Sequence, residues 1–144
     1  MIQKRNTWLL AVFTAVVINS LTICASGAGL EQRSPEHVRI ASFNIQVFGT
    51  SKMAKAHVVD TLAKVIRNFD VVAIQEVRAK SNDVIPSFVK HVNADGSSYQ
   101  YVIGPRLGRT VSKEQYTFLY DTRRIEVDTT SVGTMHDPGD RLHR

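Results

Sequence analysis

Cysteine is nearly missing from this sequence of 144 residues, which contains Cys24 and no other. A single cysteine excludes an internal disulfide, although secreted domains of this size commonly use disulfides when their core is small. We therefore expect the core to be completed by sequence outside this chain. The sequence also has no Asn-x-Ser/Thr acceptor for N-glycosylation, no internal repeat and no low-complexity tract.

Long apolar runs are equally scarce, and the longest one lies near the start of the sequence. Lys4 and Arg5 precede an apolar stretch over residues 8–23, and small residues follow it at positions 25–28. Polar residues within the stretch make it short for a membrane span, so this layout predicts a secretory signal peptide over residues 1–28. An uncleaved anchor is the alternative. We expect cleavage near residue 27 or 28, a secreted product without stable membrane association, and a polar linker over residues 29–37.

Acidic residues are in the minority, because 13 Asp and Glu stand against 18 Lys and Arg, for a formal net charge of +5. Such an excess favours an acidic partner such as nucleic acid or an anionic surface. Many soluble proteins carry a similar excess as solvated surface charge, so charge alone leaves both interpretations open. With 43% hydrophobic and 22% charged residues, the composition is that of a globular protein and excludes a disordered or fibrous one.

The apolar pattern predicts alternating strands and helices, followed by a group of strands. Strands are predicted over residues 38–48 and 70–77, with a helix between them that Ser51 caps and whose apolar face extends to Phe69. A second helix is predicted over residues 82–92. Three further strands are predicted at residues 99–103, 116–120 and 125–132. This order indicates an α/β layered architecture with helices on one side of the sheet.

Two polar side chains stand at the ends of apolar strands, where a site can form. Asn44 interrupts the first predicted strand, and Glu76 lies at the end of the second. An ionised glutamate at the end of a buried strand needs compensation, and a divalent cation that prefers oxygen ligands can supply it. The alternative is that Glu76 emerges into solvent or pairs with Arg78.

Four segments carry motifs in a definite order. The first two are residues 39–49, Arg-Ile-Ala-Ser-Phe-Asn-Ile-Gln-Val-Phe-Gly, and residues 70–78, Asp-Val-Val-Ala-Ile-Gln-Glu-Val-Arg. The third, residues 104–120, contains Leu-Gly-Arg, Lys-Glu-Gln-Tyr and Phe-Leu-Tyr, and the fourth is residues 140–144, Asp-Arg-Leu-His-Arg. Together they resemble the signature blocks of the deoxyribonuclease I family, within the endonuclease/exonuclease/phosphatase superfamily. The resemblance covers residues 38–144.

The resemblance implies an α/β fold in which two β-sheets form a four-layer sandwich flanked by helices, with residues 38–144 as its N-terminal part. It implies a secreted, metal-dependent endonuclease that hydrolyses DNA phosphodiester bonds, with Mg²⁺ as cofactor and Ca²⁺ or Mn²⁺ as alternatives. The family's catalytic histidines and its later Asp and Asn ligands would lie beyond residue 144. We therefore expect an inactive N-terminal fragment whose sheet exposes an apolar face.

The resemblance also implies catalytic roles at single positions. Glu76 would hold the metal against the scissile phosphate, and Asn44 would orient Glu76 and contact the metal or the phosphate. Glu114 would orient a catalytic histidine, although a solvated pair with its neighbour Lys113 is the alternative. None of the following histidines matches a catalytic histidine of the family, so none is assigned a role: His57, His91, His136 and His143.

Three arginines match positions that contact DNA in the family. Arg78 would reach into the minor groove, and Arg109 and Arg144 would contact the phosphate backbone. Ordinary surface charge is the alternative for Arg78 and Arg109. Ser112 stands where a tyrosine packs against the minor groove in deoxyribonuclease I, and Gln46 replaces a basic residue of some members. Both departures predict a lower affinity for DNA.

Two other functions remain open from the sequence. A member of the superfamily can act on a lipid or inositol phosphate, as sphingomyelinases and inositol phosphatases do, although the Leu-Gly-Arg and Lys-Glu-Gln-Tyr segments favour a deoxyribonuclease. A short product can also act as a non-catalytic DNA-binding or interaction module. Salt-dependent DNA binding without cleavage would indicate that module.

Overall fold

A four-stranded mixed sheet organises residues 34–138, the part of the chain that the computed structural model describes. Its strands are β1 (Ile40–Phe48), β2 (Val71–Val77), β3 (Tyr99–Ile103) and β4 (Gln115–Asp121), in the order β1-β2-β4-β3 across the sheet. β1 is parallel to β2, whereas β4 is antiparallel to both of its neighbours. The predicted signal peptide, most of the linker and the fourth motif segment lie outside the described residues.

Three α-helices accompany the sheet in the described part of the chain: α1 (Thr50–Met53), α2 (Ala56–Ile66) and α3 (Val84–Val92). Single 3₁₀ turns follow at Asn93–Asp95 and Thr129–Ser131. Buried side chains of α2 and α3 recur at helical spacing and form one core with the sheet, as an amphipathic pattern requires. The Phe48 and Phe88 rings meet edge to face at 5.1 Å and join the end of β1 to α3. The predicted α/β architecture is confirmed.

The helix predicted from Ser51 to Phe69 is wrong at both ends. The structure has two helices there, because α1 ends after a single turn and α2 begins anew at Ala56. Ser51 lies inside α1 and Gly49 takes the N-cap position, without a capping side chain. The apolar spacing that predicted one helix belongs to α2 alone, which ends at Ile66.

The strand predicted at residues 125–132 is also wrong. This segment lies along the sheet face opposite the helices, and together with sheet residues such as Val71 and Phe118 it lines a groove of about 670 Å³. Asp128 caps the 3₁₀ turn by accepting a hydrogen bond from the Thr130 N–H at 2.9 Å. Asp and Thr side chains offer the backbone such local partners, and here they outweigh the β-branched composition. Phe118 remains 50% exposed on this face.

An ion pair ties the start of β1 to the segment that leaves β4. Asp70, which is fully buried, lies 2.8 Å from Nε of Arg124 through Oδ1 and accepts the Arg39 N–H at 2.7 Å on Oδ2. The Arg124 Nη2 also donates to the carbonyl oxygens of Ser34 and His37, at 2.9 and 2.6 Å. Residues that are 90 positions apart are therefore held together at this end of the sheet.

Candidate active site

The strand directions bring three chain segments to one edge of the sheet. β1 and β2 are parallel, so their carboxyl ends share an edge, and β4 begins at that edge because it is antiparallel to β2. The register pairs Asn44 with Gln75 and Val77 with Gln115. Asn44, Glu76 and Glu114 therefore occupy the same edge, although they are far apart in the sequence. Carboxyl ends of parallel strands are a common place for ligand sites.

Both strands are irregular at this edge. Ile74 pairs with Thr117 and Val77 with Gln115, so β2 uses three steps where β4 uses two. In β1, Asn44 and Phe48 enclose four steps opposite two of β2. The extra residues have positive φ: 47° at Gln46, 54° at Val47 and 59° at Glu76. A β-branched residue in the left-handed region costs about 1–2 kcal/mol, so the surrounding contacts must hold Val47 in place.

Those contacts converge on the carboxylate of Glu76. Its Oε1 accepts a hydrogen bond from Nδ2 of Asn44 at 3.1 Å, and its Oε2 accepts the N–H of Val47 at 3.0 Å. Asn44 itself is fixed by the N–H of Gln46, which donates to its Oδ1 at 2.8 Å. The hydrogen bonds from Asn44 and Val47, with smaller contributions from nearby Arg78 and Lys52, lower the pKa of Glu76. Glu76 is thus an oriented carboxylate anion.

Arg78 connects Glu76 with the second carboxylate. Its Nη2 lies 3.6 Å from Oε2 of Glu76, and its Nε lies 3.9 Å from Oε2 of Glu114. The Nη1 atom donates to Oγ of Ser112 at 3.4 Å. The pairing with Arg78, which the sequence left as the alternative for Glu76, is therefore present. The expected burial of Glu76 is not, since its side chain is 25% exposed.

Tyr116 orients Glu114 from the other side. The phenol of Tyr116 donates to Oε1 of Glu114 at 3.0 Å, while Arg78 faces Oε2. Burial and this hydrogen bond to a carboxylate raise the pKa of Tyr116. Tyr116 is therefore a phenol that donates to Glu114 at neutral pH.

The backbone of Glu114 is fixed by a short closed loop. The N–H of Leu107 donates to the carbonyl of Glu114 at 2.8 Å, and the N–H of Glu114 donates back at 2.9 Å. Arg106 donates to the carbonyls of Ala79 and Lys113 and so ties the loop to the segment after β2. The exposed residues Arg109 and Val111 lie on this loop, with Val111 at 96% exposure.

The other residues considered from the sequence fall elsewhere. Arg144 and His143 lie outside the described residues. His91 pairs with Asp60 across α2 and α3, with 2.6 Å between Nε2 and Oδ1. His57 is exposed on α2, and His136 is exposed close to the end of the described residues. The structure joins Asn44, Glu76, Arg78 and Glu114 in one cluster.

Oxygen donors at this edge suit a hard divalent cation. Glu76 offers carboxylate lone pairs beyond those that Asn44 and Val47 occupy, and Oδ1 of Asn44 retains one. Within residues 34–138 no group of three or more His, Cys, Asp or Glu side chains could hold a metal. Mg²⁺ commonly uses one or two protein oxygens and completes its shell with water and substrate phosphate, so this donor set fits it.

The sequence did not indicate the contacts that three groups make at the site: the Val47 N–H, the hydroxyl of Tyr116 and the ammonium of Lys52. The contact of Tyr116 with Glu114 was predictable, because residues two apart on a strand point to the same face. The N–H of Val47 had none, since it depends on a bulge that apolar periodicity does not encode. Lys52 donates to the carbonyls of Ile45 and Gln46 from α1, and nothing in its spacing indicated this.

Comparisons with known proteins identify the family and the similar sequences. The model of the Endonuclease/Exonuclease/phosphatase family matches residues 41–142. Deoxyribonuclease gamma from Homo sapiens is 38% identical over 93 residues, which cover 62% of this chain and 30% of that protein. Deoxyribonuclease gamma from Rattus norvegicus is 32% identical over 106 residues, covering 72% and 34%. Deoxyribonuclease-1 from Bos taurus is 35% identical over 91 residues, covering 62% and 32%. The chain spans about a third of the length of these curated relatives.

Among residues 34–138, no helix has the length and apolar character that crossing a membrane requires.

Proposed function

Because this chain belongs to the endonuclease/exonuclease/phosphatase family, as its motif segments predict, we propose that it forms part of a metal-dependent endonuclease that hydrolyses DNA phosphodiester bonds. The observation that carries this proposal is the hydrogen bond of 3.1 Å from Asn44 to Glu76, beside a Glu114 that Arg78 and Tyr116 orient. The deoxyribonuclease names of the similar proteins support DNA as the substrate.

Glu76 and Asn44 would hold the cation, with Mg²⁺ as the first candidate and Mn²⁺ or Ca²⁺ as alternatives. When bound there, the cation would stabilise negative charge that develops on the phosphate oxygens. Asn44 keeps the Glu76 carboxylate turned toward the edge of the sheet. Glu76, whose pKa lies below its ordinary value of 4.5, is ionised at neutral pH.

Glu114 would position the group that activates water. A carboxylate fixed from both sides can orient an imidazole and stabilise its protonated form. Tyr116 donates to one oxygen of Glu114 at 3.0 Å, and the Arg78 guanidinium lies 3.9 Å from the other. Because the chain spans about a third of its relatives, we propose that the imidazole is supplied by sequence outside this chain and that the chain alone is inactive.

We propose that three basic side chains contact DNA. The side chain of Arg78 is 37% exposed, so it can approach a groove while its guanidinium remains beside the carboxylates. Arg109 extends from the closed loop, and Arg144 is proposed as a further contact from its sequence position. Ser112 contributes a small hydroxyl rather than an aromatic ring at the groove, which favours a weaker hold on DNA.

Secretion is proposed from the sequence layout of residues 1–28, where two basic residues precede an apolar stretch and small residues follow. Expression of the full chain in a secretory host, followed by N-terminal sequencing of the product, tests this. A new terminus near residue 28 supports the proposal, and a product that retains residues 1–28 contradicts it.

A plasmid-nicking assay, run with Mg²⁺ and with chelator, tests the catalytic proposal. The full chain and a product extended by the downstream reading frame are each incubated with plasmid and Mg²⁺ or with chelator. We expect nicking by the extended product alone, dependent on metal and reduced about 100-fold or more by Glu76→Gln, because losing a residue that merely orients a metal ligand already costs about 10–100-fold. Glu126→Gln, which removes an exposed carboxylate, is the matched control and should leave the rate unchanged.

Nicking that survives chelator or Glu76→Gln would contradict the proposal. Salt-dependent binding of DNA without nicking by any product would instead favour the non-catalytic module. Hydrolysis of a lipid or inositol phosphate in place of DNA would keep the metal site and change the substrate class.

A further inference from the structure

The ammonium of Lys52 contacts the irregular segment of β1. This half-buried side chain reaches from α1, and its Nζ donates to the carbonyl of Ile45 at 2.6 Å and to the carbonyl of Gln46. The two residues that follow these carbonyls are Gln46 and Val47, the consecutive residues with positive φ. The ammonium therefore binds the backbone at the point where the strand leaves its regular path.

The bulge needs such a partner. Left-handed backbone at a β-branched residue persists only when surrounding contacts determine it, and Val47 is 51% exposed, so its side chain contributes little packing. The local contacts are few: Asn44 accepts the N–H of Gln46, Glu76 accepts the N–H of Val47, and Lys52 binds the two carbonyls. Without the ammonium, both carbonyls lose a charged donor, and the strand can relax toward ordinary β geometry.

We propose that Lys52 is a positioning residue that holds the β1 bulge and thereby sets the orientation of Glu76. The link runs through the N–H of Val47, which donates to Oε2 of Glu76, and through the N–H of Gln46, which fixes Asn44. The inference deepens the proposed function, because it assigns to Lys52 the geometry of the carboxylate that would hold the cation.

Charge and geometry predict opposite results for the loss of this ammonium. Lys52 is a cation near Glu76, so removing its charge alone should strengthen binding of a divalent cation at the carboxylate. If the ammonium instead holds the bulge, its removal disorders the carboxylate and weakens the same binding. The direction of the change in cation affinity therefore separates the two effects.

The experiment compares Lys52→Met with Lys55→Met in the full chain. Lys55 is an exposed neighbour, so its substitution removes the same charge and serves as the matched control. Mn²⁺ is titrated while NMR follows the broadening of signals near Asn44 and Glu76. We expect Lys52→Met to weaken Mn²⁺ binding about tenfold or more, as losses of outer-shell partners do, and Lys55→Met to leave it within twofold.

Amide hydrogen exchange gives a readout that does not depend on metal. In Lys52→Met, the amides of Gln46 and Val47 should exchange at least about tenfold faster, while amides in the β2 and β4 ladder keep their protection. A general loss of stability would instead accelerate all of these amides together. If wild-type protein shows no Mn²⁺ broadening, the metal site of the proposed function is refuted, and exchange alone judges the role of Lys52.

A second pair of variants tests the proposal even if Lys52→Met alone folds poorly. Val47→Gly removes the steric cost of positive φ at the β-branched residue of the bulge, so the bulge should form without the ammonium. We expect Val47→Gly and the double variant Lys52→Met/Val47→Gly to bind Mn²⁺ within twofold of each other. Equal or tighter Mn²⁺ binding by Lys52→Met, unchanged exchange at Val47, or a tenfold loss caused by Lys52→Met in the Val47→Gly background would each overturn the proposal.

Discussion

Replacing Arg124 with methionine should destabilise the fold strongly, because it removes a guanidinium that lies 2.8 Å from a buried carboxylate. Asp70 is 0% exposed and Arg124 is 20% exposed, so water cannot replace the lost guanidinium at Oδ1. Removing one partner of a buried ion pair typically costs about 3–5 kcal/mol. Oδ2 of Asp70 keeps its hydrogen bond of 2.7 Å from the Arg39 N–H, which favours the lower end of that range. We expect a loss of about 3 kcal/mol.

Urea denaturation, followed by circular dichroism, measures this loss. With an m value of about 1–3 kcal/mol/M, the midpoint should fall by about 1–3 M while the slope stays unchanged. The double variant Asp70→Asn/Arg124→Met is the control, since it removes the charge but keeps an acceptor for the Arg39 N–H. It should recover at least about 1 kcal/mol relative to Arg124→Met, because a neutral amide is cheaper to bury than a carboxylate that has lost its ion pair with Arg124. A loss below about 1 kcal/mol in Arg124→Met, or no recovery in the double variant, would refute this reasoning.

Two further predictions follow from the charges at the site. The pKa of Glu76 lies below its ordinary value of 4.5, so this carboxylate stabilises the fold above pH 4.5, and the contribution is lost as the pH falls through the lower folded pKa. The difference in unfolding free energy between wild type and Glu76→Gln should therefore shrink as the pH falls over that window. A difference that does not depend on pH would contradict this. Tyr116 has a pKa above the ordinary 10.0, so its contribution is complete below pH 10 and is lost as the pH rises through the folded value. Absorbance at 295 nm should contain a late-titrating phenol that Tyr116→Phe removes and Glu114→Gln shifts to lower pH; an unchanged titration in Glu114→Gln would argue against the hydrogen bond.

The fold followed from sequence where apolar periodicity was strong and local. The pattern of α3 and the runs of β1 and β2 predicted a helix and two strands within a few residues of their observed ends. The prediction failed at Ser51, because the single helical turn of α1 has no buried residue and the apolar spacing begins only in α2. It failed again at residues 125–132, where β-branched residues cover a sheet face without pairing.

The family assignment was confirmed, and the motif positions Asn44, Glu76 and Glu114 lie at one edge of the sheet. Their roles in catalysis stay predictions. What the sequence could not supply is the means of orientation. Positive φ at Val47 arises from a two-strand bulge, and such geometry depends on contacts between segments that are distant along the chain. Spacing within one segment carries no information about it.

The closed loop between β3 and β4 separates two kinds of evolutionary change. Reciprocal hydrogen bonds between Leu107 and Glu114 fix the base of the loop, so the exposed residues between them can vary, or accept an insertion, while the carboxylate of Glu114 stays in place. Relatives with different residues at positions such as 109 and 111 would therefore differ in substrate preference while keeping the same catalytic geometry at Glu114. The same independence makes this loop the place for an engineer to graft a new recognition sequence.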